Sequence, residues 1–120
     1  MLEINKIYNE DCLLTMVKMP NRFIDLTITS PPYDNLRSYN GYSFDFENIA
    51  KELFRVTKET GIVVWIVNDQ TINGGESGNS FRQALRFQDI GFPIHDPMIW
   101  QKICPYQHKN RYIQAFEYMF

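Results

Sequence analysis

An unbroken apolar run, Ile62-Val63-Val64-Trp65-Ile66-Val67, constrains this chain more than any other segment. A strand with one face in water alternates apolar and polar residues. This one does not, so the pattern predicts a strand covered on both faces, as in a parallel sheet. Parallel neighbours need a crossover connection, and the sequence offers one. Residues Phe23-Ile24-Asp25-Leu26-Thr27-Ile28-Thr29 are rich in β-branched and apolar types and stop at Ser30-Pro31-Pro32, where two prolines cannot continue a ladder. Between the two strands, Phe46, Ile49, Ala50, Leu53 and Phe54 recur at helical spacing, with Glu47, Lys51, Glu52 and Arg55 on the opposite side. The spacing predicts an amphipathic helix over 45–58, followed by Gly61, and hence a right-handed βαβ unit.

The flanks extend this α/β pattern. Lys6-Ile7-Tyr8 suggests a short strand, and Asp11 reads as the N-cap of a helix over 12–19 that Pro20 stops. Residues 34–44 and 70–79 read as loops, rich in turn formers. Ser80-Phe81-Arg82-Gln83 has capping-box form and opens a helix to about Ile90, closed by Gly91. Residues 94–102 and 112–120 read as two strands of an antiparallel hairpin at a sheet edge. The chain stops at Ala115-Phe116-Glu117-Tyr118-Met119-Phe120, inside an apolar strand pattern, where domains ordinarily finish in a polar tail. The expectation is one domain over 1–120 that is the front part of a longer one. Exposed edges on such a piece predict self-association.

Composition sets the bounds. Of 120 residues, 44% are apolar and 22% charged, enough to form a core and too apolar for disorder. Lys and Arg number 12 against 14 Asp and Glu, so any nucleic-acid contact must come from a local patch. Residues 101–112 hold such a patch, with Lys102, Lys109 and Arg111, no acid, and His108. It suits phosphate tracking with a salt-dependent affinity, and equally a solvated loop. No apolar run approaches the ~20 residues that span a bilayer. Met1-Leu2-Glu3-Ile4-Asn5-Lys6 lacks a basic segment followed by an apolar one, so Cys12 and Cys104 are read as reduced and the chain as cytoplasmic. These cysteines and His95 and His108 lack zinc-ligand spacing, so no metal site is expected. Trp65 reads as core and His95 as structural. Asp69 reads equally as a site or a loop residue, Trp100 as a packing or a site residue.

The chemistry concentrates in Ser30-Pro31-Pro32-Tyr33. Ligands of open α/β sheets bind at the carboxyl ends of strands, and this segment follows one. Proline has no N–H, so two prolines leave carbonyl acceptors without competing donors. Ser30 adds a hydroxyl that accepts as well as donates, and Tyr33 a flat aromatic face. Together these groups suit a planar molecule bearing an NH2: acceptors take its N–H bonds while the ring stacks on its plane.

The segment Ile24-Asp25-Leu26-Thr27-Ile28-Thr29-Ser30-Pro31-Pro32-Tyr33 resembles the catalytic segment of the exocyclic-amino DNA methyltransferases, which methylate cytosine N4 or adenine N6 with S-adenosylmethionine. The resemblance runs through 45–58 and 62–67 to Met98-Ile99-Trp100-Gln101-Lys102 and Phe116-Glu117-Tyr118, nearly the whole chain. It implies a partial Rossmann-like methyltransferase fold, a mostly parallel sheet with a C-terminal antiparallel hairpin, and double-stranded DNA as partner. The target base would be flipped out of the duplex. By the same resemblance, Ser30 and the Pro31 carbonyl accept hydrogen bonds from the amine, Tyr33 stacks on the base and Pro32 stiffens the turn. Asp11 and Cys12 match a cofactor-binding turn whose Asp contacts the adenine amine, although Asn9-Glu10 replace its usual glycine. Cofactor contacts extend to Ser30 and Pro31. Trp100 and Lys102 match an element near the flipped base, and Arg37 and Tyr39 fall where DNA contacts are plausible. The family's Phe-x-Gly-x-Gly turn has no match: Gly74-Gly75-Glu76-Ser77-Gly78 has the wrong flanks. The chain is therefore expected to lack the methionine side of the cofactor pocket and to be inactive alone. Other readings are a non-catalytic remnant or split subunit that binds DNA or a partner chain, and an enzyme acting on an RNA base or a protein glutamine. Serine rather than asparagine at position 30 argues against the glutamine substrate and leans toward cytosine N4.

Overall fold

The computed structural model describes residues 2–33, 44–103 and 114–120. Nine elements follow in order: α1 (Cys12–Met16), β1 (Ile24–Thr29), α2 (Phe46–Val56), β2 (Thr57–Val67), β3 (Thr71–Ile72), β4 (Gly75–Glu76), α3 (Asn79–Ile90), β5 (Met98–Gln101) and β6 (Phe116–Met119). The main sheet is mixed, in the order β1-β2-β6-β5. β1 and β2 run parallel, whereas β6 is antiparallel to both β2 and β5. The architecture is the α/β class read from the sequence, with the parallel pair and the C-terminal hairpin in place.

Helix α2 begins where Asp45 accepts the backbone N–H of Asn48, and it buries Ile49, Ala50, Leu53 and Val56. It stops at Val56, earlier than expected, and β2 starts at once. Gly61 thus lies inside the strand. A Cβ there would come within 2.7 Å of Thr57 Cγ2 and 2.9 Å of the Ile24 carbonyl, so glycine allows the close approach of β2 to β1. Arg55 binds the two helices together: its guanidinium donates to the carbonyls of Met16 and Met19 at the end of α1 and pairs with Glu52.

Packed on the α2 side of the sheet is an aromatic cluster. Trp65 meets Phe46 and Phe87 edge to face, with ring centroids 5.8 and 5.1 Å apart, and Phe44 stacks beside it. The Trp65 indole N–H donates to Gln83 Oε1 at 2.9 Å. The core reading of Trp65 holds.

Four expectations need correction. Residues Lys6-Ile7-Tyr8 form no strand; Tyr8 instead folds back, its hydroxyl bonding the backbone of Glu3. The segment 70–79 is not all loop: β3 and β4 form a small hairpin around Asn73-Gly74, whose positive φ angles of 51° and 79° match a type I′ turn. No capping box forms at Ser80-Gln83, because Gln83 goes to Trp65 and the Asp69 carboxylate takes the Ser80 N–H. The apolar run in β2 is also not covered on both faces. Trp65 and Val67 are buried, while Ile62 on the opposite face stands 59% exposed. Beside it, Leu26 and Ile28 of β1 are exposed too.

Candidate active site

β1 delivers the Ser-Pro-Pro-Tyr segment to its carboxyl end, immediately after Thr29. Pro31 is buried, which anchors the segment, whereas Ser30 is exposed. The Ser30 and Tyr33 hydroxyls lie 2.8 Å apart, either able to donate. Tyr33 also packs against the edge of the core cluster. The predicted combination of exposed oxygen and aromatic ring on one elbow is therefore present.

Ser30, Pro31 and Pro32 line a cavity of about 520 Å³ that runs along β1. Its other walls come from α1 with Cys12 and Met16, from α2 with Ile49 and Leu53, and from Trp65. Thr27, Thr29 and Ser30 are its polar lining residues, and none of the described lining residues is charged. The size is that of a small-molecule site. The described lining residues fit planar or apolar parts of a ligand and offer no ionic partner to an ammonium or carboxylate.

Asp11 caps α1, its Oδ1 accepting the Leu13 N–H at 2.9 Å. Next to it, burial and then the Asp11 charge push the Cys12 thiol up, so it stays protonated at neutral pH. The two predicted cofactor residues are therefore adjacent at the start of α1, and Cys12 reaches the cavity.

Trp100 and Lys102 lie at the far side of the sheet. Trp100 is half exposed on β5, directly across from Glu117. Lys102 Nζ is 3.0 Å from Glu117 Oε1, and Glu117 is only 7% exposed. The patch cation is thus tied to a nearly buried acid that sequence reasoning missed. The signal was available: Glu117 interrupts an apolar strand pattern, and a buried carboxylate requires a cation or donors. Arg37, Tyr39, Lys109 and Arg111 lie outside the described residues.

Asp69, read equally as a site or a loop residue, holds the start of α3. Its Oδ1 accepts from the Ser80 N–H and the Ser77 hydroxyl, and its Oδ2 from the Ser80 hydroxyl at 2.5 Å. Gly78, the N-cap of α3, has no side chain, so a distant carboxylate does the capping. His95 is exposed beside Asp96 rather than packed. Among the described residues no three His, Cys, Asp or Glu side chains group as metal ligands, and no helix is long and apolar enough to cross a membrane.

Known proteins resemble this chain in sequence and in fold. A family model described as DNA methylase, of the N6/N4 type, matches residues 24–120. The orphan methyltransferase M.BamHII of Bacillus amyloliquefaciens is 63% identical over 98 residues, which cover 81% of this chain and 37% of that protein. The type II methyltransferase M.BglII of Bacillus subtilis is 29% identical over 102 residues, covering 79% of this chain and 26% of the relative. Among solved structures, the cytosine-N4-specific PvuII DNA methyltransferase superposes with a TM-score of 0.73 at 22% identity, over 93% of this chain and 46% of that one. TTHA0409 of Thermus thermophilus, a putative DNA modification methylase solved with S-adenosyl-L-methionine, gives 0.69 at 21% identity, over 91% and 49%. The chain thus spans less than half the length of these relatives. The matched span includes β1, the Ser30–Tyr33 elbow and β6, and on that match the chain belongs to the N6/N4 DNA methylase family.

Proposed function

We propose that this chain carries the amine-binding site of a DNA methyltransferase that acts on an exocyclic amine of a flipped-out base, cytosine N4 ahead of adenine N6, with S-adenosylmethionine as methyl donor. The observation that carries the reading is the exposed Ser30 hydroxyl on the rim of a cavity, at the end of a parallel strand and 2.8 Å from the Tyr33 hydroxyl. When Ser30 donates to Tyr33, its oxygen keeps both lone pairs for an incoming N–H. With the Pro31 carbonyl as second acceptor, the amine is drawn out of conjugation with its ring, and its nitrogen lone pair becomes nucleophilic. Tyr33 supplies a face for stacking, and buried Pro31 fixes the acceptors in advance, so they need no reorganisation during reaction.

S-adenosylmethionine, when bound, supplies an electrophilic sulfonium methyl. The cavity suits its planar and apolar parts, while its charged amino-acid end finds no ionic partner among the described lining residues. Weak binding by these 120 residues alone follows, and calorimetric titration of the isolated chain with S-adenosylmethionine checks it. The family description supports DNA as substrate, and the cytosine-N4 specificity stated for the PvuII DNA methyltransferase supports N4.

The test is nucleoside analysis of DNA incubated with labelled donor and the chain joined to the remaining part of its family domain. The expected product is N4-methylcytosine, and Ser30→Ala lowers the rate by about 10²-fold through loss of one aligned acceptor. A full rate with Ser30→Ala, or no methylated base from an intact assembly, overturns the reading.

A further inference from the structure

We propose that Arg82 contacts a backbone phosphate of DNA through the Nε–Nη2 edge of its guanidinium, at the same end of the sheet as Ser30. The choice of DNA as the source of the anion rests on the function proposed above.

A chain with a net charge of -2 meets a phosphate most directly through a cation that its own acids have not neutralised. Every other lysine and arginine among the described residues holds a carboxylate within 3.2 Å, and Lys102, the patch cation expected from the sequence, is one of them. Arg82 has no carboxylate partner among the described residues, yet its guanidinium is held in place. Its Nη1 donates to the Ser77 carbonyl at 2.6 Å and to Asn79 Oδ1 at 3.1 Å, which uses both hydrogens of that nitrogen. The N–H groups of Nε and Nη2 are left for another partner, and the residue is exposed. Two other arginines show what that edge takes. Arg86 grips Glu47 through Nε and Nη2, and Arg55 grips Glu52 in the same way. This fork matches two oxygens of a carboxylate or of a phosphate. In Arg82 the same fork is preset and carries no acid of this chain among the described residues.

Its place in the fold suits a phosphate near the site. Helix side chains lean toward the N-terminus, and Arg82, in the first turn of α3, reaches back to Ser77. Asp69, two residues after β2, binds Ser80 at the start of the same helix. The next residue along α3, Gln83, holds Trp65, whose register partner on β1 is Thr29, immediately before Ser30. Arg82 and Ser30 therefore both lie at the carboxyl end of the parallel pair. Asp69 and Glu76 are the acids of the intervening segment. Asp69 spends its oxygens on Ser77 and Ser80, and neither acid pairs with Arg82. Arg82 does not line the cavity beside Ser30, so the carboxylate of a donor bound there is not its ligand. Phosphate contacts set the register of a protein on a duplex, and an enzyme that flips a base needs that register before the base enters.

The experiment measures binding of duplex DNA against salt concentration, using the chain joined to the remaining part of its family domain. Arg82→Gln is expected to weaken binding about five- to tenfold at low salt and to lower the slope of log K against log salt by about 1. Arg82→Lys keeps the charge and hence the slope, and loses about threefold in affinity because the fork is gone. Arg86→Gln, on the same helix with its fork filled by Glu47, leaves the slope unchanged. Should Arg82→Gln disturb folding, Arg82→Lys decides, and unchanged affinity in it overturns the proposal. Unchanged salt dependence with Arg82→Gln, or an equal loss of slope with Arg86→Gln, also overturns it. An assembly that methylates DNA with the Arg82→Gln slope unaltered refutes the phosphate contact and leaves the function intact. One that loses slope with Arg82→Gln but transfers no methyl group does the reverse.

Discussion

The two faces of β2 are built from the same kinds of residue and meet different surroundings. On one face Trp65 is 2% exposed, held by Phe44, Phe46 and Phe87 and by the Gln83 amide. On the other, Ile62 is 59% exposed, and among the described residues Leu26 and Ile28 of β1 lie beside it. Apolar composition alone therefore does not bring burial; a helix must be available to lie on the face, and α2 and α3 both lie on the same one. The free energy of burial, about 25 cal/mol per Å² of apolar surface, is realised more fully on the side of Trp65 than on the side of Ile62.

This contrast is open to direct attack. Trp65→Ala should cost about 3–5 kcal/mol in urea denaturation, since it empties the aromatic cluster and orphans Gln83. Ile62→Ala in the chain alone should cost no more than about 1 kcal/mol. Equal costs would show that both faces are covered in solution. A smaller effect concerns how α3 is held over the covered face. Asp69→Ala strands the Ser80 N–H and hydroxyl, and Ser80 is fully buried, so a loss of about 1–3 kcal/mol is expected by thermal melting. Asp69→Asn keeps one acceptor oxygen and should recover part of it. If Asp69→Ala is silent, α3 is held by aromatic packing alone.

The smallest effect joins α2 to α3. The Arg86 and Lys51 cations hold the Glu47 carboxyl down at about 2, from an ordinary 4.5. The folded state thus favours the ionised form, so the contribution is fully present above about 4.5 and fades as pH falls toward 2. Glu47→Gln should therefore lower the melting temperature slightly at neutral pH, with the gap to the parent closing across that window. The groups are exposed, so added salt should shrink the difference as well. A gap that widens in acid would contradict the pairing.

How much was legible in the sequence differs by element. Helical spacing located α2, runs of apolar and β-branched residues located β1 and β2, and a start pattern with a closing glycine located α3, because each of these signals is local. The cap at Asp11 was equally legible, since a cap reaches only two residues along the chain. Ser30-Pro31-Pro32-Tyr33 stood out for a related reason: a strand ending in two prolines forces an elbow, and the groups it presents are consecutive. The cap on α3 was not legible, because Asp69 lies eleven residues from Ser80 and a competing local pattern, Ser80-Gln83, looked sufficient. Nor was the Lys102–Glu117 pair, which only the β5–β6 register brings together.

The sequence by itself determined the class of fold, the order of β1, α2, β2 and α3, and the elbow that carries the chemistry, all of which follow from spacing and residue type over short stretches. Only the tertiary structure decided which face of β2 is covered, which cation meets the buried acid and which strand stands at the open edge. Those outcomes depend on where separate elements come to lie against one another, and a one-dimensional pattern of apolar residues reads the same whether a helix arrives or water does.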